Sequence, residues 1–351
     1  EHYGNPSSQH WAGAPAKHAV EKARSQVAAL LGCAPQEVVF TSGGTEANNH
    51  AIKGVFFALR ERGKHIITTQ VEHPATLQPC RFLERLGAEV TSLPVDGAGM
   101  VNPEDVRKAI TPRTILVSVM HANNEVGTIQ SIAEIARVTR ERGVLLHTDA
   151  AQSVGKIPTK VAELGVDLLS VAGHKLYGPK GVGALYLRQG VQLEPLMHGA
   201  GHEAGRRAGT ENVLLDVALG AACELAATDL ESRRARLTQL RDYFHAGMKK
   251  LFHDALHLNG HPTERLPNTL NVSFAGRIGS EVLEALDGVA ASTGSACHSG
   301  RHELSPVLKA MGVSEAIGLG AVRFSLGRWT TTEELDHVLG LLRSLMLASN
   351  E

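Results

Sequence analysis

The sequence predicts an α/β protein with a mostly parallel sheet, followed by a smaller α+β domain. Short aliphatic runs alternate with helical patterns over residues 38–187, which is typical of a parallel sheet covered by helices on both faces. The pattern changes beyond residue 230, and a chain of 351 residues is long enough for two domains. We therefore expect a large domain over residues 1–230 and a small domain over residues 231–351.

The large domain contains six strand-like runs. They are short and rich in β-branched and aliphatic residues, as buried strands are. They span residues 38–40, 65–68, 114–118, 144–147, 168–171 and 184–187. Between two of them, residues 131–142 have helical apolar spacing, and Gly143 can end that helix. Ligand groups in such a sheet come from loops at the carboxyl ends of strands.

A long helical pattern over residues 211–252, expected to contain one break, connects the two domains. After it the sequence predicts a strand over residues 269–274, a helix over 280–286, a strand over 321–326 and a helix over 332–347. This mixture is typical of a small α+β domain.

Composition and charge exclude several function classes. The 35 basic and 36 acidic residues nearly cancel, so we expect neither nucleic acid nor a membrane surface as a partner. No apolar run reaches the roughly 18 residues of a membrane span, and no signal segment opens the chain. The cysteines form no CxxC pair, which favours a reducing cytoplasm, and the histidines show no metal-ligand spacing. Residues 1–4 read like the middle of a segment, so we expect residues to be missing before them.

Three segments at strand ends carry groups suited to pyridoxal phosphate. This cofactor needs a phosphate site, an acid that keeps its ring nitrogen protonated, and a lysine for covalent linkage. The Gly44-Thr45 turn opens a helix and can hold an anion, although an ordinary capped turn is the alternative. Asp149 ends one strand and Lys175 follows another. Singly, Asp149 could cap a helix and Lys175 could be a surface lysine; together they favour a cofactor site.

Two residues of the small domain also indicate chemistry. Cys297 lies in a small, polar stretch over residues 292–300, whereas the other three cysteines lie in or beside helical patterns, as buried fillers do. A cysteine in a flexible Ser/Gly loop is more accessible and more reactive. Arg323 lies in an apolar strand pattern and needs an anionic partner, either a structural carboxylate or a ligand.

Taken in order, the motifs resemble those of NifS/IscS-like cysteine desulfurases over essentially the whole chain. The matching segments are residues 4–8, 41–49, 72–73, 121–125, 147–152, 173–175, 207–210, 295–297 and 323–328. This family has the aspartate-aminotransferase fold (fold type I) of pyridoxal-phosphate enzymes, with a seven-stranded type of sheet. The resemblance implies a homodimer that converts L-cysteine to L-alanine and passes the sulfur, as a cysteine persulfide, to an acceptor protein.

The resemblance also implies the residues that bind the cofactor. They are Gly44, Thr45, His73, Asn124, Asp149, Gln152, His174, Lys175 and Thr210. Lys175 forms the covalent linkage, Asp149 binds the ring nitrogen, and Gln152 binds the ring hydroxyl. His73 stacks on the ring and moves protons.

For the phosphate, the implied ligands are Gly44, Thr45 and His174, with Thr210 reaching across from a second subunit. Thr210 could instead cap the following helix. For the substrate, Arg323 binds the α-carboxylate with help from Asn124, and Cys297 is the nucleophile that takes the sulfur.

The chain departs from the family pattern at three places. Ala172 stands where the family has a serine that donates to the phosphate. The usual triple glycine reads Gly199-Ala200-Gly201, and the family's N-terminal Asp-x-x-x-Thr-Thr segment is absent.

Three other functions compete with cysteine desulfuration. A selenocysteine lyase shares fold and cofactor, and residues 297–299 and 305–308 resemble that branch too. A non-catalytic scaffold would not need Lys175 or Cys297, and an ordinary aminotransferase has no use for Cys297 in a mobile loop. The acceptor stays open among iron–sulfur clusters, thionucleosides, DNA phosphorothioation and others.

Overall fold

The computed structural model describes residues 3–293, 297–298 and 301–348, with the backbone alone for residues 297, 298, 301, 302 and 348. Its helices are α1 (Ala14–Leu31), α2 (Gly44–Leu59), α3 (Pro74–Glu84), α4 (Pro103–Ala109), α5 (Ile132–Glu141), α6 (Val161–Leu164), α7 (Val213–Thr228), α8 (Leu230–Phe252), α9 (Gly279–Glu284), α10 (Pro306–Ala310), α11 (Glu315–Gly318) and α12 (Thr332–Ala348). Its strands are β1 (Val38–Thr41), β2 (His65–Thr69), β3 (Glu89–Leu93), β4 (Thr114–Ser118), β5 (Leu145–Asp149), β6 (Leu168–Ala172), β7 (Gly183–Leu187), β8 (Leu256–Asn259), β9 (Thr269–Phe274), β10 (Cys297–His298), β11 (Arg301–His302) and β12 (Ala321–Ser325).

Seven strands form the central sheet, in the order β1-β7-β6-β5-β4-β2-β3. Strand β7 runs antiparallel to both neighbours and the remaining pairs are parallel, which confirms the predicted mostly parallel sheet. All six strand-like runs of the sequence are strands of this sheet. The seventh, β3, is not predicted because it lies at the edge, where only Leu93 of its five residues is buried.

Helix α2 lies against the central sheet and positions the first turn after β1. Its residues Ala47, Ala51, Ile52 and Val55 are fully buried and belong to one apolar cluster with strands β1, β2, β4, β6 and β7. The small side chains at 47 and 51 allow close packing of the helix on the strands. The N-terminus of α2 is thereby held at the carboxyl end of β1.

The described chain divides into two compact units. The large unit holds the chain up to Leu93, Asn102–His121 and Gln130–Leu230. The small unit holds Pro94–Val101, Ala122–Ile129 and the chain from Glu231 onward. The small unit therefore includes two short segments that the sequence analysis assigns to the large domain.

The small unit is built on an antiparallel sheet with the order β12-β9-β8. Phe244 of α8 contacts Phe324 edge to face, with ring centres 5.1 Å apart, and Phe252 contacts Phe274 at 4.9 Å. These contacts bury the apolar face of α8 against the sheet. The predicted break in the connecting helical pattern lies between α7 and α8, at Asp229.

Within the described part of the chain, none of the helices combines the length and the apolar character that a membrane span requires.

Candidate active site

The carboxyl ends of β1, β5 and β6 meet around Gly44, the first residue of α2. A Cβ added to Gly44 would lie 3.1 Å from the Cβ of Ala172, which ends β6, and 3.9 Å from the Cβ of Ala151, just after β5. A side chain at position 44 would therefore crowd Ala172 and reach van der Waals contact with Ala151. The fold thus brings together the three predicted strand-end segments, which carry Gly44, Asp149 and Lys175.

The N-terminus of α2 is suited to an anion. Gly43 precedes it with φ 146° and ψ −179°, a conformation almost confined to glycine, and no side chain caps the helix. The alternative of an ordinary capped turn is therefore wrong. Thr45 lies exposed in the first turn of this 16-residue helix, whose N-terminus carries a partial positive charge.

Asp149 ends β5 and is only 6% exposed. Its Oδ1 accepts a hydrogen bond from the backbone N–H of Ala151 at 2.9 Å, and its Oδ2 accepts one from Nδ2 of Asn48 at 2.6 Å. Each oxygen keeps a second lone pair, so the carboxylate can also accept the N–H of a pyridinium ring. A series of turns follows Asp149, so this residue caps no α-helix.

Lys175 and His174 lie in one turn of 3₁₀ helix, Gly173–Leu176, directly after β6. Both side chains are exposed. The pKa of His174 is lowered, first by desolvation and then by the positive charges of Lys175, Lys180 and Lys156. His174 is therefore neutral at physiological pH and can donate one N–H to an anion.

His73 caps α3, and this contact selects its tautomer. Its Nδ1 accepts a hydrogen bond from the backbone N–H of Ala75 at 3.1 Å. An accepting Nδ1 carries no hydrogen, so the neutral ring has its proton on Nε2. Nε2 is therefore the ring atom at which His73 can donate a hydrogen bond.

Gln152, three residues after Asp149, accepts a hydrogen bond at Oε1 from Lys156 at 3.1 Å.

Glu72 is a buried titratable group whose role sequence reasoning missed. Its Oε1 accepts hydrogen bonds from Oγ1 of Thr69 and from the backbone N–H of Met120, both at 2.8 Å. Burial raises the pKa of Glu72 to about 8. The two hydrogen bonds lower this pKa and offset the effect of burial only in part, whereas the negative charge of Asp149 raises it further. Glu72 is therefore mostly protonated at neutral pH. In the sequence, the only indication of a role for Glu72 is its position next to His73.

We expect Glu72→Gln to stabilise the apoprotein increasingly as the pH rises from about 5 to about 8. Folded Glu72 keeps its proton up to a pKa of about 8, whereas the unfolded chain loses it near the usual value of 4.5. In this window the folded state binds more protons, so the free energy of unfolding of the wild type falls with pH, by at most about 1.4 kcal/mol per pH unit. Calorimetric midpoints across the window measure the difference.

The exposed Glu84, on α3, provides the matched control. Glu84→Gln should change the thermal midpoint equally little at every pH. A constant difference between Glu72→Gln and the wild type would show that Glu72 is ionised in the folded protein.

Thr210 lies exposed in the loop before α7. Arg207 ties this loop to α2 through two hydrogen bonds to Glu46, Nε–Oε1 at 2.9 Å and Nη2–Oε2 at 3.3 Å. The N-cap of α7 is Asn212, whose side chain accepts from the N–H of Leu215 at 3.3 Å. The alternative that Thr210 caps this helix is therefore wrong.

Asn124 and Arg323 meet within the small unit. Nη1 of Arg323, on β12, donates to the backbone carbonyl of Asn124 at 2.9 Å. The Nε of Arg323 is buried and has no hydrogen-bond partner among the described residues. A buried guanidinium N–H without a partner is unfavourable, and a carboxylate is the group that matches its geometry. This arrangement suits Arg323 to a carboxylate ligand.

Cys297 belongs to β10, which pairs antiparallel with β11, and its side chain lies outside the described residues. Upstream, Ser292 pairs with Arg323 through two backbone hydrogen bonds of 2.7 and 3.2 Å. The segment that leads to Cys297 thus begins beside Arg323. The other three thiols are poor nucleophiles, because burial raises the pKa of each to about 12. They are Cys33, Cys80 and Cys223.

The residues present fit pyridoxal phosphate. The large unit offers an uncapped helix N-terminus for the phosphate, a buried carboxylate with free lone pairs for the ring nitrogen, and Lys175 just beyond a neighbouring strand end. Because Ala172 contacts the position of Gly44, a serine at 172 would have placed its hydroxyl near this helix N-terminus. Ala172 has no hydroxyl and offers no side-chain hydrogen bond at this point.

The chain is similar to proteins of known family. A family model described as "Aminotransferase class-V" matches residues 1–338. The protein named "Cysteine desulfurase IscS" of Dictyoglomus turgidum is 51% identical over 348 residues, which cover 99% of this chain and 88% of that protein. The protein of the same name from Methanosarcina thermophila is 50% identical over 348 residues, which cover 99% of this chain and 86% of that protein. A solved structure described as "NIFS-LIKE PROTEIN" has a TM-score of 0.92 and 40% identity, covering 99% of this chain and 92% of the other.

Proposed function

The chain belongs to the class-V aminotransferase family, and from this membership we propose that it is a pyridoxal-phosphate-dependent cysteine desulfurase. It converts L-cysteine to L-alanine and transfers the sulfur to Cys297 and then to an acceptor protein. The observation that carries the proposal is the convergence of Gly44, Asp149 and the Lys175 segment at neighbouring strand ends. The names of its half-identical relatives support the substrate, L-cysteine.

The residues of the large unit bind the cofactor and move protons. Bound pyridoxal phosphate supplies an electron sink conjugated to the Cα of the substrate. Asp149 holds the proton on the ring nitrogen through its free lone pairs, and the N-terminus of α2 binds the phosphate. Lys175 Nζ would hold the cofactor covalently and, once freed from it, could take the Cα proton of the substrate. His73 would present its Nε2–H to the bound cofactor or substrate as a hydrogen-bond donor.

The residues of the small unit bind the substrate and take its sulfur. Arg323 receives the α-carboxylate at its unpartnered Nε, next to Asn124. The Cys297 thiolate attacks the substrate sulfur, so an S–S bond forms while the C–S bond breaks. L-cysteine and a thiol thereby become L-alanine and a persulfide, with no net redox change. A thiolate of the acceptor protein then takes the outer sulfur. The free thiols and this chemistry support a reducing compartment, the cytoplasm.

An exposed apolar stripe along α7 supports a homodimer. Leu214 is 78% exposed and Leu225 is 59% exposed, and Val217 and Ala221 lie on the same helical face. Such a stripe on a helix is typical of an interface rather than of a solvated surface. Because α7 directly follows the Thr210 loop, an interface along α7 would bring Thr210 to the second subunit's phosphate.

We expect Leu214→Glu to weaken the dimer about a hundredfold or more, because a carboxylate buried in an apolar interface loses its hydration. Sedimentation velocity measures the dissociation constant, and titration with pyridoxal phosphate measures the accompanying loss of cofactor affinity. The control is Leu86→Glu, at a leucine of the large unit that is 50% exposed, which should remain dimeric. A monomeric wild type with full cofactor occupancy would contradict the shared site.

The function is tested by incubating the purified holoenzyme with L-cysteine. We expect alanine and enzyme-bound persulfide in equal amounts during the first turnover, and further alanine once a thiol reductant removes the persulfide. Alanine without persulfide would refute sulfur transfer through the enzyme. The same assay with L-selenocysteine separates the two lyase activities: turnover of selenocysteine alone would favour selenocysteine lyase, the alternative that the relatives' names do not support.

A further inference from the structure

Asn48 is a buried amide on the apolar face of α2. It is 1% exposed, and its neighbours Ala47, Ala51 and Ile52 are fully buried. Asparagine is a weak helix former, and a buried amide requires hydrogen-bond partners at both of its ends. An asparagine at this position therefore needs a specific explanation.

Only one end of the Asn48 amide has a partner. Nδ2 donates to Oδ2 of Asp149 at 2.6 Å, whereas Oδ1 is buried without a hydrogen-bond partner among the described residues. An unsatisfied buried carbonyl lowers the stability of the folded chain. The amide thus holds Asp149 in one orientation, although its own unsatisfied oxygen lowers the stability of the fold. Such a local cost in stability is typical of a functional contact.

The backbone alone does not fix the plane of the Asp149 carboxylate. The N–H of Ala151 holds Oδ1 at 2.9 Å and leaves rotation about this contact open. Asn48 adds the second contact, at the other oxygen. A carboxylate held at both oxygens presents its remaining lone pairs in one direction.

Two of the polar side chains near Asp149, those of Asn48 and Glu72, bring no positive charge to its carboxylate. Asn48 is a neutral donor. Glu72, which interacts electrostatically with Asp149, keeps its proton at neutral pH because burial raises its pKa to about 8. Neither of these two neighbours therefore competes with a cationic ring nitrogen for the Asp149 carboxylate.

We propose that Asn48 is a positioning residue of the cofactor site, whose amide holds the Asp149 carboxylate in the orientation that receives the ring N–H of pyridoxal phosphate. The inference rests on the proposed function. Asn48 acts through Asp149, so its removal should weaken cofactor binding and slow the chemical step without changing the affinity for L-cysteine.

Two variants and one control test this role. Asn48→Leu keeps the branched shape at a larger volume and removes the donor. Asn48→Asp keeps the shape and puts a second carboxyl against Asp149, so that the pair must share a proton. Asn102→Asp adds the same charge at an exposed position and still accepts the N–H of Glu104, as Asn102 does at 2.9 Å. The measurements are the dissociation constant of pyridoxal phosphate from the apoprotein, the thermal midpoint of the apoprotein, and kcat and KM for L-cysteine at saturating cofactor.

Both Asn48 variants should bind pyridoxal phosphate about ten- to a hundredfold more weakly, the usual effect of losing a residue that orients a ligand-binding group. kcat should fall by a similar factor with KM unchanged, and the Asn48→Leu apoprotein should still unfold in one cooperative thermal transition. The control should match the wild type throughout. Unchanged cofactor affinity and kcat, or loss of the folded apoprotein in both variants, would overturn the proposal. Failure of the proposed function itself would appear in the wild type, as no alanine from L-cysteine.

Discussion

The Cys297→Ala variant is expected to bind pyridoxal phosphate as the wild type does, yet to release alanine from L-cysteine roughly a thousandfold or more slowly, as enzymes that lose a nucleophile do. Of the proposed cofactor ligands, Gly44, Asp149, Lys175 and Thr210 lie in the large unit, whereas Cys297 lies in the small unit, together with Asn124. Cofactor binding and sulfur transfer should therefore separate. Alanine release and visible absorbance, measured on one preparation, show whether they do.

Cys33→Ala is the matched control for the loss of a thiol. Cys33 is half-buried and its pKa is raised to about 12, so its removal should leave the rate unchanged. The Cys297→Ala variant should lose little stability, because the sequence predicts an accessible Ser/Gly loop and not a core position for this thiol. A buried structural cysteine would give the reverse pattern: a lower thermal midpoint with turnover kept. Alanine release at the wild-type rate from Cys297→Ala would mean that another group accepts the sulfur.

Lys175→Ala should lose turnover about a thousandfold or more, because we propose its amine both as the covalent attachment of the cofactor and as the base that takes the Cα proton. Reduction of the wild-type holoenzyme with borohydride, followed by peptide mapping, should place the reduced cofactor on Lys175. In the variant no lysine should carry it.

Lys180→Ala provides the control, since Lys180 is another exposed lysine five residues along the same segment. It should keep both the label on Lys175 and the turnover. A label on a lysine other than Lys175 in the wild type would contradict the assignment.

The sequence was sufficient for the positions of the reactive groups along the sheet. Apolar runs end abruptly at Asp149 and just before Lys175, and parallel strands place their carboxyl ends at one edge. The β1–α2 turn was likewise predictable, from its two glycines. β3 was not, because an edge strand with one buried residue has no apolar pattern to detect.

The supporting contacts could not be predicted. Asn48 and Asp149 are 101 residues apart, and nothing in either neighbourhood specifies the other. Glu72 stood out only by its place next to His73, because its pKa depends on burial that the sequence does not show. Periodicity predicts which faces are buried, whereas individual polar partners depend on how distant segments pack.

The small unit takes in Ala122–Ile129, a segment that is synthesised long before the main part of this unit, which begins at Glu231. The hydrogen bond from Arg323 to the carbonyl of Asn124 joins two residues that are 199 positions apart in the sequence. At about 5–20 residues per second, the ribosome needs roughly 10–40 s to make the chain between them. During translation the loop that carries Asn124 is therefore made well before the strands of the small unit. A fragment that starts at Glu231 would lack this loop altogether. The proposed substrate-carboxylate site, which needs both Arg323 and Asn124, is therefore complete only after residue 323 has been made.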